Sequence, residues 1–251
     1  MFFGGAGDIL GQERDGRKGR VGKSESLKVR KSKAGTEEET ARAIAMGVIA
    51  VVDYGMGNLH SVSKALAAAG GKAQVTSRAE EIAEAEALVV PGVGAFGDAM
   101  KQLRALGLCE VIREHIEADK PFLGICLGLQ ILFEKGFEDG EHEGLGVLAG
   151  SVVKFEPADA GLKVPHMGWN QVRMGRKCEA LAGVEDGDYF YFVHSYYPKP
   201  TDETVVATRT EYGGEFVSSV TRGRMFACQF HPEKSQGLGL RVLSNFVNMA
   251  V

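Results

Sequence analysis

Long apolar runs are missing from this 251-residue chain: no stretch approaches the roughly 18 residues that cross a bilayer, and the N-terminus has no uninterrupted apolar core of the kind a secretory signal needs, so membrane and secreted classes are disfavoured. Cysteine is scarce and scattered. Cys109, Cys126, Cys178 and Cys228 contain no C-x-x-C pair, which argues against a zinc knuckle or a disulfide framework and favours a reducing cytoplasm. The G-x-G at Gly55 and Gly57 lacks the third glycine of a dinucleotide fingerprint and a matching acid on a second strand end. Glu141-His142-Glu143 are consecutive and cannot converge on one ion, so a solvated loop is expected there and no metal or cofactor is indicated. Positive charge is also short where it would matter. Of 29 Lys/Arg and 33 Asp/Glu, ten and seven fall in residues 1–46, leaving 19 and 26 for the rest, and an acidic body argues against nucleic acid as the main partner.

What is present divides the chain in two. Residues 1–46 are rich in Gly, Ser and mixed charge, with few apolar residues at useful spacing, and are expected to be a low-complexity, disordered extension. Met46 directly precedes the first strand-like run and is expected to be the native start. Residues 47–251 read as one α/β domain. Gly47–Asp53 is continuously apolar, as in a strand covered on both faces, and Ala73–Thr76 and Ala87–Val90 follow as further strands. Leu108, Val111, Ile112, His115 and Ile116 repeat at helical spacing, with His115 expected to be a satisfied, partly buried histidine. From Ser151 onward the segments 151–155, 170–173, 189–193, 205–209, 216–221 and 226–230 are short, rich in Val, Phe, Tyr and Thr, and separated by turns. They predict strands, several of them antiparallel, in a mixed sheet beside the parallel one.

The stretch Pro121–Phe133 carries the chemistry. An apolar strand leads into Gly124-Ile125-Cys126-Leu127-Gly128, and the apolar residues that follow, Leu129 through Phe133, predict a buried helix. Gly-x-Cys-x-Gly is the cysteine form of a nucleophile elbow, in which small neighbours allow a sharp turn. A helix starting there would turn its N–H groups toward the sulfur and favour a thiolate. A core cysteine would fit the same five residues, so other features must decide. Pro91–Gly97 forms a glycine-rich loop after a strand, able to bring a backbone N–H beside the sulfur; with the N–H of Leu127 it would make an oxyanion hole. Near the C-terminus His231 and Glu233 lie two apart at a strand end, on the same side of an extended backbone, an imidazole and a carboxylate to orient it. Three independent features then fill the three roles of one mechanism.

These residues resemble the class I, or triad, glutamine amidotransferases: Gly124-Ile-Cys126-Leu-Gly-Leu-Gln130 matches the nucleophile motif and Phe230-His231-Pro-Glu233 the rest of the triad. Within that family the segments Asp53–His60, Pro91–Phe96, Pro165–Asn170, Tyr191–Tyr196 and His231–Gln236 are most similar to the glutaminase subunits of imidazole glycerol phosphate synthases. The likeness spans residues 47–251. It implies a flavodoxin-like core of largely parallel strands with added antiparallel ones, and no cofactor. It implies that Cys126 attacks the glutamine carboxamide, His231 shuttles protons and Glu233 orients His231. Backbone N–H groups of Val93 or Gly94 and of Leu127 would hold the oxyanion, while Gly92, Gln130, His194, Ser195 and Tyr196 would hold glutamine. Ammonia would pass to a (β/α)8-barrel cyclase subunit in a heterodimer, docked through Asn58, Met167, Trp169 and Lys234, with the loop misaligned until the cyclase binds its ligand. A buried core position is the other reading of Trp169. Two rivals remain: another triad glutaminase with a different acceptor, and a binding or chaperone-like protein with a reactive but non-hydrolytic cysteine.

Overall fold

A computed structural model describes residues 47–156 and 161–250; the expectations for residues 1–46, Met46 included, lie outside the described residues. The first half alternates strand and helix: β1 (Val48–Val52), α1 (Leu59–Ala68), β2 (Lys72–Thr76), α2 (Ala79–Glu84), β3 (Ala87–Gly92), α3 (Phe96–Ala105), α4 (Leu108–Glu117), β4 (Phe122–Cys126) and α5 (Leu127–Gln130). The second half is nearly all strand: β5 (Phe133–Gly136), β6 (His142–Glu143), β7 (Leu148–Lys154), β8 (His166–Gln171), β9 (Arg173–Met174), β10 (Tyr189–His194), β11 (Tyr196–Pro200), β12 (Val206–Glu211), β13 (Glu215–Arg222) and β14 (Met225–Cys228), closed by α6 (Gln236–Met249).

Strands β2-β1-β3-β4-β14-β13-β12-β9 form one eight-stranded sheet. Its first five strands are parallel, and from β14 onward the pairing turns antiparallel. The expected mixed and parallel sheets are therefore largely one. Two small sheets, β10-β8 and β11-β7-β5-β6, lie apart from it.

Apolar runs in β1, β3 and β4 alternate between the two faces of this sheet, as the two-residue period of a strand requires. Ala50, Val52, Leu88, Val90 and Phe122 pack with Ile82, Met100, Leu103 and Ile112 from α2, α3 and α4. Ile49, Val51, Val89, Leu123 and Ile125 pack on the other side with Val62 and Leu66 of α1 and Val242 and Phe246 of α6. Each such buried Val, Leu, Ile, Met or Phe side chain stabilises the fold by roughly 1.5–3 kcal/mol. α1 is started by the Asn58 side chain, which accepts from Ser61 N at 3.2 Å. In α4 the spaced apolar residues are buried as expected, and His115 is buried with them, bonded through Nε2 to the Pro121 carbonyl at 3.0 Å while Nδ1 has no partner, so it is only half satisfied.

Candidate active site

β3, β4 and β14 lie side by side, and the chain leaves the carboxyl ends of all three into one region. Cys126 ends β4 at φ 55°, ψ −106°, a backbone conformation that L-residues rarely adopt and that clusters at functional turns. The flanking glycines make this turn possible. A Cβ on Gly128 would sit 1.8 Å from the Val90 carbonyl oxygen, and one on Gly124 would sit 2.7 Å from the Gly128 oxygen, so the turn packs directly on β3.

The segment after Cys126 is one helical turn, not the longer helix expected through Phe133. The N–H groups of Leu145, Gly146 and Leu148 take the carbonyls of Ile131, Phe133 and Leu132, and Phe133 then enters β5. Leu132 N already closes a tighter turn on the Leu129 carbonyl, and pairing of Phe133 with Leu148 then takes the chain out of the helix.

His231 and Glu233 come from the turn that follows β14. Glu233 sits in a short 3-10 turn, Pro232–Lys234, which corrects the extended backbone expected for the pair. The turn still joins them: Nδ1 of His231 donates to Glu233 Oε1 at 2.8 Å, with side chains 3 and 2% exposed. The segment is pinned to β10, because His231 N donates to the Tyr191 carbonyl at 2.9 Å and Ser235 Oγ links the His231 carbonyl to Tyr191 N at 2.7 and 3.0 Å. With Nδ1 carrying the proton toward Glu233, the other ring nitrogen is left for the sulfur. Nε2 has no hydrogen bond of ordinary geometry, yet the sulfur is close enough to act on the ring. Burial opposes charge on His231, but Cys126 and Glu233 outweigh it and raise the imidazole to about 9.

A cavity of about 410 Å³ opens beside the sulfur, lined by Val93, Gly94, Ala95, Cys126, Leu127, Gln130, Glu138, Val193, His194, Ser195 and Tyr196. It thus gathers every expected oxyanion and glutamine-holding residue except Gly92. Gly92 lies within β3 opposite Cys126, where a Cβ would meet the Tyr54 hydroxyl at 2.3 Å and Leu127 Cβ at 2.8 Å. Its bareness allows close packing; it is not part of the cavity wall. Glu138, which the sequence does not single out, lines the cavity, and its Oε2 accepts from Phe96 N at 2.8 Å and so ties the glycine-rich loop to the wall. Gln229 was also missed. It is fully buried, with Nε2 3.5 Å from Cys126 Sγ.

None of the expected interface residues lines the cavity, and Met167, Trp169 and Lys234 share one face of the β8–β10 ribbon. Met167 and Trp169 are 62 and 45% exposed, which rules out the core reading of Trp169. Trp169 pairs with Tyr191 across β8 and β10, and Lys234 Nζ lies 5.8 Å above the Tyr191 ring. Asn58 is exposed at the start of α1.

His166 and His194 join at 2.9 Å beneath this face. The Tyr196 carbonyl can only accept, so His194 Nδ1 donates to it at 2.9 Å, His194 Nε2 accepts from His166 Nδ1, and His166 Nε2 accepts from Asn170 Nδ2 at 3.2 Å. Burial pushes the His166 imidazole down to about 4 and that of His194 down to about 3, the Tyr196 carbonyl opposing the latter. Both lie below the ordinary 6.5, so their contribution to stability is complete above about pH 6.5 and is lost as pH falls through 4 and 3. The ring-proton NMR resonances of both should therefore stay at neutral positions from pH 7 to pH 5. A titration midpoint near 6.5 in either would contradict this bonding.

Residues 50–250 match the family glutamine amidotransferase class-I, and the chain belongs to that family. Among its relatives is the imidazole glycerol phosphate synthase subunit HisH of Aquifex aeolicus, 57% identical over 201 residues that cover 80% of this chain and 96% of that protein. The subunit of the same description from Rhodopirellula baltica is 56% identical over 205 residues, covering 81% and 98%. The fold is shared more widely. The crystal structure of a glutamine amidotransferase aligns with a TM-score of 0.63 at 23% identity, covering 81% of this chain and 99% of the other. PurLQS from Thermotoga maritima aligns at 0.62 and 18% identity, covering 80 and 97%.

Proposed function

We propose that this chain is the glutaminase subunit of an imidazole glycerol phosphate synthase: it hydrolyses glutamine to glutamate and ammonia through a cysteinyl thioester and hands the ammonia to a cyclase subunit in histidine biosynthesis. The observation that carries the reading is the strained Cys126 turn, which lines an open cavity, with the buried His231–Glu233 pair acting on its sulfur. His231 takes up the proton of the Cys126 thiol as the sulfur becomes the nucleophile. The sulfur attacks the carboxamide carbon, and backbone N–H groups of Leu127 and of Val93 or Gly94 stabilise the oxyanion. The imidazolium gives its proton to the departing nitrogen, the C–N bond breaks, and the neutral ring then takes a proton from water as that water cleaves the thioester. Glu138 supplies a negative wall suited to the substrate's α-ammonium, while Gln130, Ser195 and Tyr196 line the same cavity.

The partner proposed is the (β/α)8-barrel cyclase, in a cytoplasmic heterodimer. Exposed Met167 and Trp169, with Lys234 and Asn58, form the docking face, and aromatic residues of this kind commonly anchor interfaces. The remaining domain reading is that residues 47–251 are the catalytic unit and residues 1–46 an extension to it.

The test is ammonia formation with and without the cyclase and its nucleotide. Slow hydrolysis by the chain alone, strong stimulation by the ligand-bound cyclase and a trapped stoichiometric thioester at Cys126 are expected. Trp169→Ala should weaken the complex about tenfold or more while the fold is kept. Full turnover without the cyclase would remove the proposed control by loop alignment. Stimulation by a different synthase would overturn the choice of partner.

A further inference from the structure

Gln229 stands outside the cysteine, imidazole and carboxylate set, yet its amide nitrogen lies 3.5 Å from the nucleophilic sulfur. Which end of that amide faces the sulfur is dictated by groups that have no choice. The Tyr196 carbonyl can only accept, so the amide atom that Gln130 presents to it at 2.9 Å must be Nε2. The same nitrogen has a second hydrogen, which goes to Gln229 Oε1 at 3.2 Å. With Oε1 engaged there, Gln229 is left with Nε2 toward Cys126. The carbonyl at the origin of this order is itself held by His194, which donates to it at 2.9 Å. Gln229, Gln130 and His194 are 0, 5 and 5% exposed, so solvent does not blur the pattern.

We propose that Gln229 is a further catalytic residue, its amide N–H donating to Cys126 Sγ whenever the sulfur is charged. This rests on the glutaminase reading, and it deepens it at two steps. Before attack, the donor stabilises the anionic sulfur over the thiol. A thiol would instead point its hydrogen at the Val193 carbonyl, 3.8 Å away, an acceptor that offers the anion nothing. When water forms its bond to the thioester carbon and the C–S bond breaks, the electron pair returns to sulfur, and the same N–H meets the charge that reappears. A hydrogen bond to an ionised partner is roughly twice as strong as a neutral one. The other groups that face or act on this sulfur are His231, with Glu233 behind it, Tyr54 from the turn after β1, Cys228 on β14, and His194 and Glu138 in the cavity.

Alkylation of the full chain by iodoacetamide, followed at Cys126 by peptide mass spectrometry across pH 6–9, reads the sulfur directly and needs no glutamine turnover. In Gln229→Met, which keeps the volume and removes the donor, the Cys126 rate at pH 7 is expected to fall about tenfold with near-UV circular dichroism unchanged. The turnover rate of the cyclase-bound enzyme should fall alongside it. An unchanged alkylation profile in the folded variant would overturn the proposal. A measurement on the unsubstituted chain guards against a variant that does not fold. The Gln229 side-chain amide resonance should move over the same pH interval as the alkylation rate, and a stationary resonance is equally fatal. Absence of glutamine hydrolysis by the unsubstituted enzyme with its cyclase would count against the proposed function, while alkylation and the amide resonance still decide the contact.

Discussion

His231→Ala is expected to slow glutamine hydrolysis by roughly a hundred- to ten-thousandfold, the range that a positioned acid and base supplies. One ring serves two steps: it gives a proton to the nitrogen that leaves and takes one from the water that follows. The Glu233 contact at 2.8 Å fixes which nitrogen is available for both. Because Cys126 and Glu233 hold the imidazole charged up to about 9 against the effect of burial, the acid role is filled throughout the neutral range. The rate of thioester formation should therefore decline as pH rises through about 9. The same linkage adds stability below pH 6.5 that is lost as the ring deprotonates near 9. Removing the ring also leaves a buried carboxylate without its partner, which destabilises the fold in its own right. His231→Gln, which can keep an N–H toward Glu233, separates the two effects. Single-turnover ammonia release with the cyclase present is the measurement, and a folded His231→Ala enzyme of near-normal rate would remove the imidazole from the mechanism.

Gly128→Ala should be the most damaging single-methyl change in the described structure around the nucleophile. The new Cβ would lie 1.8 Å from the Val90 carbonyl oxygen and 2.9 Å from its carbon, both backbone atoms of an internal strand. Neither side can yield cheaply. Val90 is paired through Gly124 in β4, and the turn is fixed by Cys126. Overpacking against atoms that can rearrange costs about 1–3 kcal/mol, and here the obstacle is backbone, so a loss of about 3 kcal/mol or more is expected. For a chain of this size that lowers the thermal midpoint by about 6–12 °C. A variant melting within a degree of the unsubstituted protein would mean that the turn stands further from β3 than described.

The same five residues explain why the nucleophile was legible in the sequence. Gly124 and Gly128 are needed for reasons local to the turn, so the motif announces itself. The His231-Pro-Glu233 segment was legible for a like reason, because its two side chains meet each other within three residues. What escaped depended on distant partners. The helix expected through Phe133 stops at Gln130 because Leu132 N tightens onto the Leu129 carbonyl and Phe133 pairs with the distant Leu148, and nothing near Gln130 signals this. β11 was not anticipated, since Pro198 and Pro200 speak against a strand; as the edge of a small sheet it tolerates them. β8 begins at His166, earlier than the expected Asn170, with His166 buried and Met167 exposed in alternation on a two-stranded ribbon. Glu138 carries no local signal, because the group that gives it a role, Phe96 N, lies 42 residues away in sequence.

The position of β14 has a consequence for the timing of activity. It follows every other described strand along the chain, yet it occupies the middle of the large sheet, between β4 and β13, and the imidazole and carboxylate come after it. A growing polypeptide therefore exposes its cysteine turn about a hundred residues before the proton carrier exists. Only when β14 slots into the waiting gap do sulfur and ring meet. Hydrolytic competence should thus arrive in a single late step of folding, and a ribosome-bound fragment ending before Met225 would hold a thiol without the means to use it.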